Sequence, residues 1–466
     1  MDNLMKMKFQ IVVLGSGPAG YSAAFRCADL GMNVALIEKY KDIGGVCLNV
    51  GCIPSKSLLY LSKNINDSKY FFKKGILNYH NYSLNIKNIV SWKNKIIKKM
   101  SKGLKYLSKK RNIKILRGNA TFLDKNNLIV LNEKGEIKVN FQNAIIATGS
   151  KPMMIENVNK SDRIWDSTKA LSLPFIPKKL LIIGGGIIGL EIATIYTAIG
   201  SYVEIVEKSD SILQNLDEDI LESYKNYITP LFKIKTKIKI LEVIEFSDYV
   251  YVTFINEKKI KIKNKYDAVL VSIGRKPNID CIGKLKIKLG KLNNIIVNNR
   301  MKTNIRNIYA IGDVIGEPML AHKGMYEGKL VAEIISGKNY EFDASIMPCV
   351  AYTNPEISWI GITEKIAIKN NIDIKVSVLP WIVSGKAVAI NSHKGIIKLI
   401  FDKKYNRIIG GSAVGSNAGD LLCEIGLAIE MGCTSKDIAL TIHPHPTIGE
   451  LVKLAAENVE GTITDF

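Results

Sequence analysis

Phe9-Gln-Ile-Val-Val-Leu-Gly-Ser-Gly-Pro-Ala-Gly20 is a short apolar run that breaks into three glycines, Gly15, Gly17 and Gly20. The run predicts a buried strand, and Tyr21 to Leu30 predicts an apolar helix behind the glycines. A second strand, Asn33 to Ile37, ends at Glu38. Strand, glycine turn, helix, strand and acid, in that order, make a dinucleotide-binding unit. Gly15 makes the tight turn, Gly17 lets backbone approach a pyrophosphate, and Gly20 lets helix and strand pack closely. Glu38 is placed to accept from a ribose hydroxyl.

The unit recurs. Leu180 to Ile183 leads into Gly184-Gly-Gly186-Ile-Ile-Gly189, a helix follows to about Ile199, and the strand Tyr202 to Val206 ends at Glu207. The last glycine precedes the acid by the same distance in both copies (20 to 38, 189 to 207). One such fingerprint is weak evidence; two with equal spacing are strong. Each unit closes with a strand meeting a glycine, Ala144 to Gly149 (Ala-Thr148-Gly149-Ser150) and Ala268 to Gly274 (Ser-Ile-Gly-Arg). The chain therefore carries two Rossmann-like nucleotide-binding folds in series.

Gly44-Gly-Val-Cys47-Leu-Asn-Val-Gly-Cys52-Ile-Pro-Ser-Lys56 interrupts the first unit. Regular helix would set residues five apart about 7.5 Å apart along its axis, beyond the roughly 7 Å a disulfide tolerates. If the two thiols pair, the backbone between them is not regular helix, and Gly51 supplies the break. Pro54 suits a first helical turn, which places Cys52 near a helix N-terminus, where a thiolate is favoured. The spacing is wrong for a zinc C-x-x-C pair, and no metal site is expected. Seven scattered cysteines, an odd number, exclude a disulfide scaffold and suit a reducing compartment: cytoplasm, or a mitochondrial or plastid matrix.

The 466 residues hold about two to four domains. No apolar run is long enough to span a membrane, and Met1 to Lys8 is too short and polar for a signal peptide. The net charge is +22, but only eight of the 65 basic residues are Arg. That is compositional bias spreading Lys over all surfaces, not the concentrated basic element of a nucleic-acid binder. Ile89, Trp92, Ile96, Met100, Leu104 and Leu107 repeat at helical spacing. They predict a helix packed on the first domain with a solvated lysine face. Ile113 to Leu116 and Gly118-Asn-Ala120 predict a strand pair. Lys151 to Lys178 is the crossing into the second unit, and Pro277-Asn278 begins the return. Asp313, after the strand Ile308 to Ile311, either holds a sugar or ribityl hydroxyl or makes a helix cap or an Asx turn.

From Ile346 the pattern changes to an antiparallel-type sheet: Glu356 to Gly361, Ile372 to Pro380, Gly395 to Asp402 and Ile408 to Val414. Helices around 362–369 and 419–431 flank it. Near the end stands His443-Pro-His445-Pro-Thr-Ile-Gly-Glu450. Proline fixes the chain beside the imidazole, and Glu450 is close enough to orient a histidine. Two nucleotide units and a dithiol make an electron relay, which needs a base to deprotonate a thiol. Glu207 would repel a 2′-phosphate, so NAD is favoured over NADP.

The stretch 44–56 resembles the signature of the class I pyridine nucleotide-disulfide oxidoreductases, and the resemblance covers essentially the whole chain. Within that family it is most similar to members that oxidise protein-bound dihydrolipoamide for the 2-oxo acid dehydrogenase complexes. The implied plan is an α/β protein with FAD on the first unit (1–150, with the return segment 277–343), NAD on the second (151–276) and an α+β dimerisation domain (344–466). Carried over, Cys47 is the thiol that meets dihydrolipoamide, Cys52 faces the flavin, and Lys56 sits by the flavin and pairs with Glu191. Glu38, Gly118, Ala120, Thr148, Gly149, Ser150, Asp313 and Met319-Leu320-Ala321-His322 match FAD contacts. Gly184, Gly186, Gly189, Glu207 and Gly274 match NAD contacts. His445 matches the base and Glu450 its partner, reaching the other subunit's disulfide in a homodimer.

No lipoyl domain precedes Gly15, so the resemblance implies that a lipoylated acyltransferase supplies the substrate. The alternative is an NADPH-dependent reductase of the glutathione reductase type. It is disfavoured by Ile187, Gly189 and Glu207, where that type usually has Tyr, Ala and Arg. Mercuric reductase is disfavoured because no cysteine pair follows Cys433. Val46, Pro444 and Gly449 depart from the commonest family residues.

Overall fold

A computed structural model describes residues 5–78 and 83–464. Met1 to Leu4, half of the segment judged too polar for a signal peptide, lie outside the described residues. The first strand starts earlier than the apolar run suggests, at Met5, and runs to Leu14. Its Met5–Phe9 half aligns with Ile137–Phe141 of the long strand Gly135–Ile146.

The first sheet lies around that strand. Val34–Glu38 and Gly135–Ile146 flank Met5–Leu14 in parallel, and Ile308–Ala310 pairs in parallel with the latter from the return segment. Ile11, Val12, Val13 and Leu14 are all buried, as a parallel strand covered on both faces requires. The helix Pro18–Asp29 begins with proline inside its first turn and ends before Gly31 at φ +82°.

The second unit repeats the arrangement: Lys233–Lys235, Tyr202–Val206, Lys179–Ile183, Ala268–Val271 and Ile164–Trp165 form one parallel sheet. A three-stranded antiparallel sheet, Lys239–Glu245, Val250–Ile255 and Lys261–Tyr266, caps it. The third sheet is antiparallel throughout, ordered Cys349–Ala351, Glu356–Gly361, Ile408–Gly415, Ile396–Asp402, Ile374–Pro380. Helices Ala418–Glu430 and Glu450–Glu460 pack on it through Leu421, Leu422, Ile425, Leu451, Val452 and Ala455.

Three expectations need correction. Lys114–Arg117 and Asn119–Phe122 do not pair with each other: the first joins Val34–Glu38 and the second joins Asn127–Asn132. Gly118, at φ +142° between them, turns the chain from one partner to the other. Next, Lys151 to Lys178 is more than a crossing. It contributes the strand Ile164–Trp165 and the helix Ser167–Ser172, with Trp165 fully buried among Leu180, Leu190 and Tyr196.

The third concerns the helix Ile86–Lys110, whose buried face is rotated from the apolar stripe. Ile89, Lys93, Ser101 and Ser108 point inward, while Trp92, Met100 and Leu107 stay 37–42% exposed. Serines permit the close approach, and Lys93, expected in solvent, buries its stem and donates from Nζ to Leu171 O at 2.7 Å. Burial pushes its ammonium below the usual lysine range.

Two of the junctions between the units are a strand ladder and a buried ion cluster. Ser150–Pro152 and Arg275–Pro277, the outgoing and returning connections, pair as an antiparallel ladder. Lys398 of the third sheet, 1% exposed, reaches Asp219 at 2.9 Å and Asp217 at 3.3 Å on the second unit, and also touches Glu364. Its desolvation is offset by three carboxylates, so the ion stays charged inside.

Candidate active site

The two glycine turns are built alike. Gly15 (φ +99°) and Gly184 (φ +111°) occupy left-handed backbone. A Cβ on Gly20 would lie 1.8 Å from Gly15 O, and one on Gly189 2.2 Å from Gly184 O. Neither lines the cavity; both let helix and turn close up. Gly17 and Gly186 are different, because the space beside them is open: a Cβ on Gly17 meets nothing nearer than 3.9 Å, and one on Gly186 nothing within 4 Å. Each is the N-cap of its helix and provides no side-chain cap, which leaves backbone N–H groups for a phosphate.

The two acids are held alike as well. Glu38 accepts from Ser16 N–H at 3.1 Å, from Ser16 Oγ at 2.5 Å and from Tyr40 N–H at 3.0 Å. Glu207 accepts from Gly185 N–H at 2.7 Å and Ser209 N–H at 2.8 Å. Each carboxylate thus fixes the glycine turn it faces.

Both turns open into one cavity of about 1410 Å³, larger than the roughly 300–1,000 Å³ of an ordinary ligand pocket. Gly15, Gly17, Glu38, Gly118, Ala120, Thr148, Gly149 and Ser150 line it, as do Asp313, Met319, Leu320, Ala321 and His322. So do Gly184, Gly186, Glu191, Glu207 and Gly274, and Cys47, Cys52 and Lys56. His445 and Glu450 do not. The open cradles at Gly17 and Gly186, with an acid beside each, fit two dinucleotides.

Cys47 lies in the short helix Gly45–Val50 and Cys52 opens the helix Cys52–Lys73. Between them Gly51 breaks the helix at φ −134°, ψ −109°. Both thiols are free. The hydrogen bond from Cys47, helped by Lys56, outweighs burial and holds the Cys52 thiol down to about 7, while the same bond pushes Cys47 up. Of the two thiols, Cys52, at the helix N-terminus, is the one that ionises first.

Lys56 Nζ donates to Glu191 Oε1 at 2.9 Å and Oε2 at 3.1 Å. Glu191 Oε1 also accepts from Tyr352 N–H at 3.2 Å, and Lys56 lies 4.5 Å over the Tyr352 ring. One carboxylate therefore joins all three units. Asp313 accepts from Ser150 Oγ, which in turn accepts from Arg275 Nε at 2.7 Å. His322 Nε2 lies 2.9 Å from Pro348 O, and burial keeps its imidazole below the usual range.

His445 Nδ1 lies 2.8 Å from Glu450 Oε1, with the His445 side chain 78% exposed. Burial pushes the Glu450 carboxyl up, but hydrogen bonds from Thr447 N–H and His445 outweigh it and hold the group below its ordinary value. The His445–Pro446 peptide is cis. Residues not singled out in the sequence include Ser16, Arg275 and Tyr352. Arg275 directly follows Gly274, so an arginine beside a site glycine was a usable signal. Tyr352 comes from another unit and had none.

The pattern of the pyridine nucleotide-disulphide oxidoreductases matches residues 9–328, and that of the dimerisation domain of the same family matches 347–456. A protein named dihydrolipoyl dehydrogenase from Buchnera aphidicola (subsp. Acyrthosiphon pisum) is 53% identical, covering 99% of this chain and 98% of its own. Proteins of the same name are 48% identical in Vibrio parahaemolyticus (99% and 98% covered) and 39% in Geobacillus stearothermophilus (97% and 96%). In fold, the chain is similar to the HOCl-induced flavoprotein disulfide reductase RclA of Escherichia coli, with TM-score 0.86, 24% identity, and 96% and 99% of the two chains covered.

Proposed function

The chain belongs to the pyridine nucleotide-disulphide oxidoreductases, and from that premise we propose that it oxidises protein-bound dihydrolipoamide and delivers the electrons to NAD⁺. The carrying observation is a cysteine pair, Cys47 and Cys52, lining the same cavity as two dinucleotide cradles. FAD fits the first cradle, at Gly15, Gly17, Glu38, Gly118, Ala120, Thr148, Gly149, Ser150, Asp313 and Met319 to His322. NAD fits the second, at Gly184, Gly186, Glu207 and Gly274. Bound there, they supply the two-electron path from dithiol to nicotinamide.

The chain's own residues handle the sulfur and proton chemistry. In the oxidised enzyme Cys47 and Cys52 are joined. A dihydrolipoamide thiol gives its proton to Nε2 of His445, attacks Cys47 Sγ, and releases Cys52 as a thiolate beside Lys56. The second dihydrolipoamide sulfur then displaces Cys47, closing lipoamide, and Cys47 takes up a proton. Glu450, on Nδ1, keeps Nε2 free and stabilises the charged imidazole.

Within one chain His445 is exposed and away from the cavity, so we assign its role to the site of a second copy. The apolar face that copy would cover includes Leu427, Met431, Leu440 and Ile442, exposed by 65, 71, 72 and 95%. No helix among the described residues is long and apolar enough to cross a membrane. A lipoylated acyltransferase of a 2-oxo acid dehydrogenase complex is the proposed partner, and the cytoplasm the proposed location, on the strength of the bacterial relatives and the scattered free thiols. The test is NADH formation from dihydrolipoamide, free or on a lipoyl domain, by protein reconstituted with FAD. No NADH with either substrate refutes the reading.

A further inference from the structure

The loop from Thr441 to Gly449 carries the proposed base, yet one chain leaves much of it in solvent, with Ile442 95% exposed. A base must stand within about 2.6–3.2 Å of the proton it takes, and a misplacement of about 1 Å can cost some hundredfold in rate. Something must therefore hold this loop. Two residues before His445, the His443 side chain is 7% exposed, and its Nε2 lies 2.6 Å from Glu424 Oε1. Its Nδ1 lies 2.9 Å from Thr441 O. Glu424 belongs to the helix Ala418–Glu430, which packs on the third sheet through Leu421, Leu422 and Ile425. It is a rigid post.

The chemistry of the contacts fixes one proton. A carbonyl only accepts, so Nδ1 carries hydrogen. On the other edge of the ring Nε2 stands at hydrogen-bond distance from the Glu424 carboxylate, so the imidazole is gripped from both sides. The remaining anchors converge on the same few residues. Thr447 Oγ1 donates to Pro444 O at 2.9 Å and Ser384 Oγ to Thr447 O at 3.2 Å.

We propose that Glu424 and His443 form a second histidine–carboxylate pair that positions the first, clamping the loop so that His445 Nε2 is held at a fixed place opposite a second copy's cysteines. They are positioning residues and touch no substrate. The inference rests on the proposed dihydrolipoamide reaction.

The test uses the FAD-loaded, full-length dimer. Glu424→Ala and His443→Ala are expected to lower kcat with dihydrolipoamide by about tenfold or more. The KM for NAD⁺, the dimer mass and the rate of NADH-driven reduction of ferricyanide, which needs no base, should stay at wild-type values. Glu424→Gln can still bridge the imidazole through its amide and should recover most of the lost rate. Wild-type turnover in all alanine variants overturns the clamp. So does a parallel fall of both activities with loss of the dimer, which would make the pair merely structural, and so does a Gln variant no better than Ala. An inactive wild type would instead strike at the dihydrolipoamide reading itself.

Discussion

Removing the hydrogen bond that Cys47 makes to Cys52 should raise the Cys52 pKa, and the two obvious substitutions separate that bond from everything else. Cys52 is held to about 7, first by the Cys47 hydrogen bond and then by Lys56, against burial that pushes the other way. Cys47→Ser keeps an O–H donor in place of S–H. Cys47→Ala keeps the burial and Lys56 but removes the donor. With one lowering cause gone and burial unchanged, the Ala variant should titrate higher by about one to two units. At about 1.36 kcal/mol per unit, that is about 1.4–2.7 kcal/mol of lost thiolate stabilisation. At pH 7 a thiol near 7 is about half ionised, whereas one near 9 is about 1% ionised. The assay is the long-wavelength thiolate-to-flavin absorbance of FAD-loaded protein, followed against pH. The Ser variant should show its midpoint near the wild-type dithiol value and the Ala variant well above it. Coincident midpoints, or an Ala midpoint below the Ser midpoint, would refute the argument that the neighbouring thiol sets this charge.

Lys56 lowers the Cys52 pKa and Glu191 raises it, so Lys56→Met should move the same absorbance midpoint up and Glu191→Gln should move it down; shifts of one sign in both would contradict the assignment. His445→Gln should cut dihydrolipoamide turnover by about 10²–10⁴ while FAD stays bound and ferricyanide reduction by NADH continues. Glu207→Ala removes the acceptor of the Gly185 and Ser209 N–H groups and the charge that opposes a 2′-phosphate. The ratio of kcat/KM for NAD⁺ over NADP⁺ should fall about tenfold, read from steady-state rates with each coenzyme. Ile442→Glu, at a position 95% exposed in one chain, should yield monomers by sedimentation that retain FAD but lose dihydrolipoamide turnover.

Much of the fold was legible because its decisive signals are local. The two glycine fingerprints and their acids lie within one continuous stretch each, and backbone sterics at Gly15, Gly20, Gly184 and Gly189 admit almost nothing else. The break at Gly51 was legible for the same reason. The sheet neighbours of 113–120 were not, since local propensity marks a strand without saying which edge it joins. The orientation of Ile86–Lys110 is not legible in its apolar period, which does not reveal that serines let the opposite edge come closer. Tyr352 under Lys56, Lys398 among its carboxylates and Glu424 behind His443 are all long-range meetings, which no window of sequence displays.

The ladder between Ser150–Pro152 and Arg275–Pro277 gives the NAD-side unit a particular kind of independence. It leaves the chain and rejoins it at one doorway, where Asn278 N–H bonds back to Gly149 O at 2.9 Å. Strand partners in such a ladder stand about 4.5–5.5 Å apart, so a turn of about two residues would seal the opening. Everything between is a cassette that can be exchanged, duplicated or deleted without rethreading the sheet around Met5–Leu14. Excision would take away the second dinucleotide cradle, the Asp217 and Asp219 partners of Lys398, and Glu191, and with it the support that holds Lys56 beside the cysteines. The chain passes this boundary at a single doorway, but the Lys56–Glu191 ion pair crosses it a second time, right beside the cysteines.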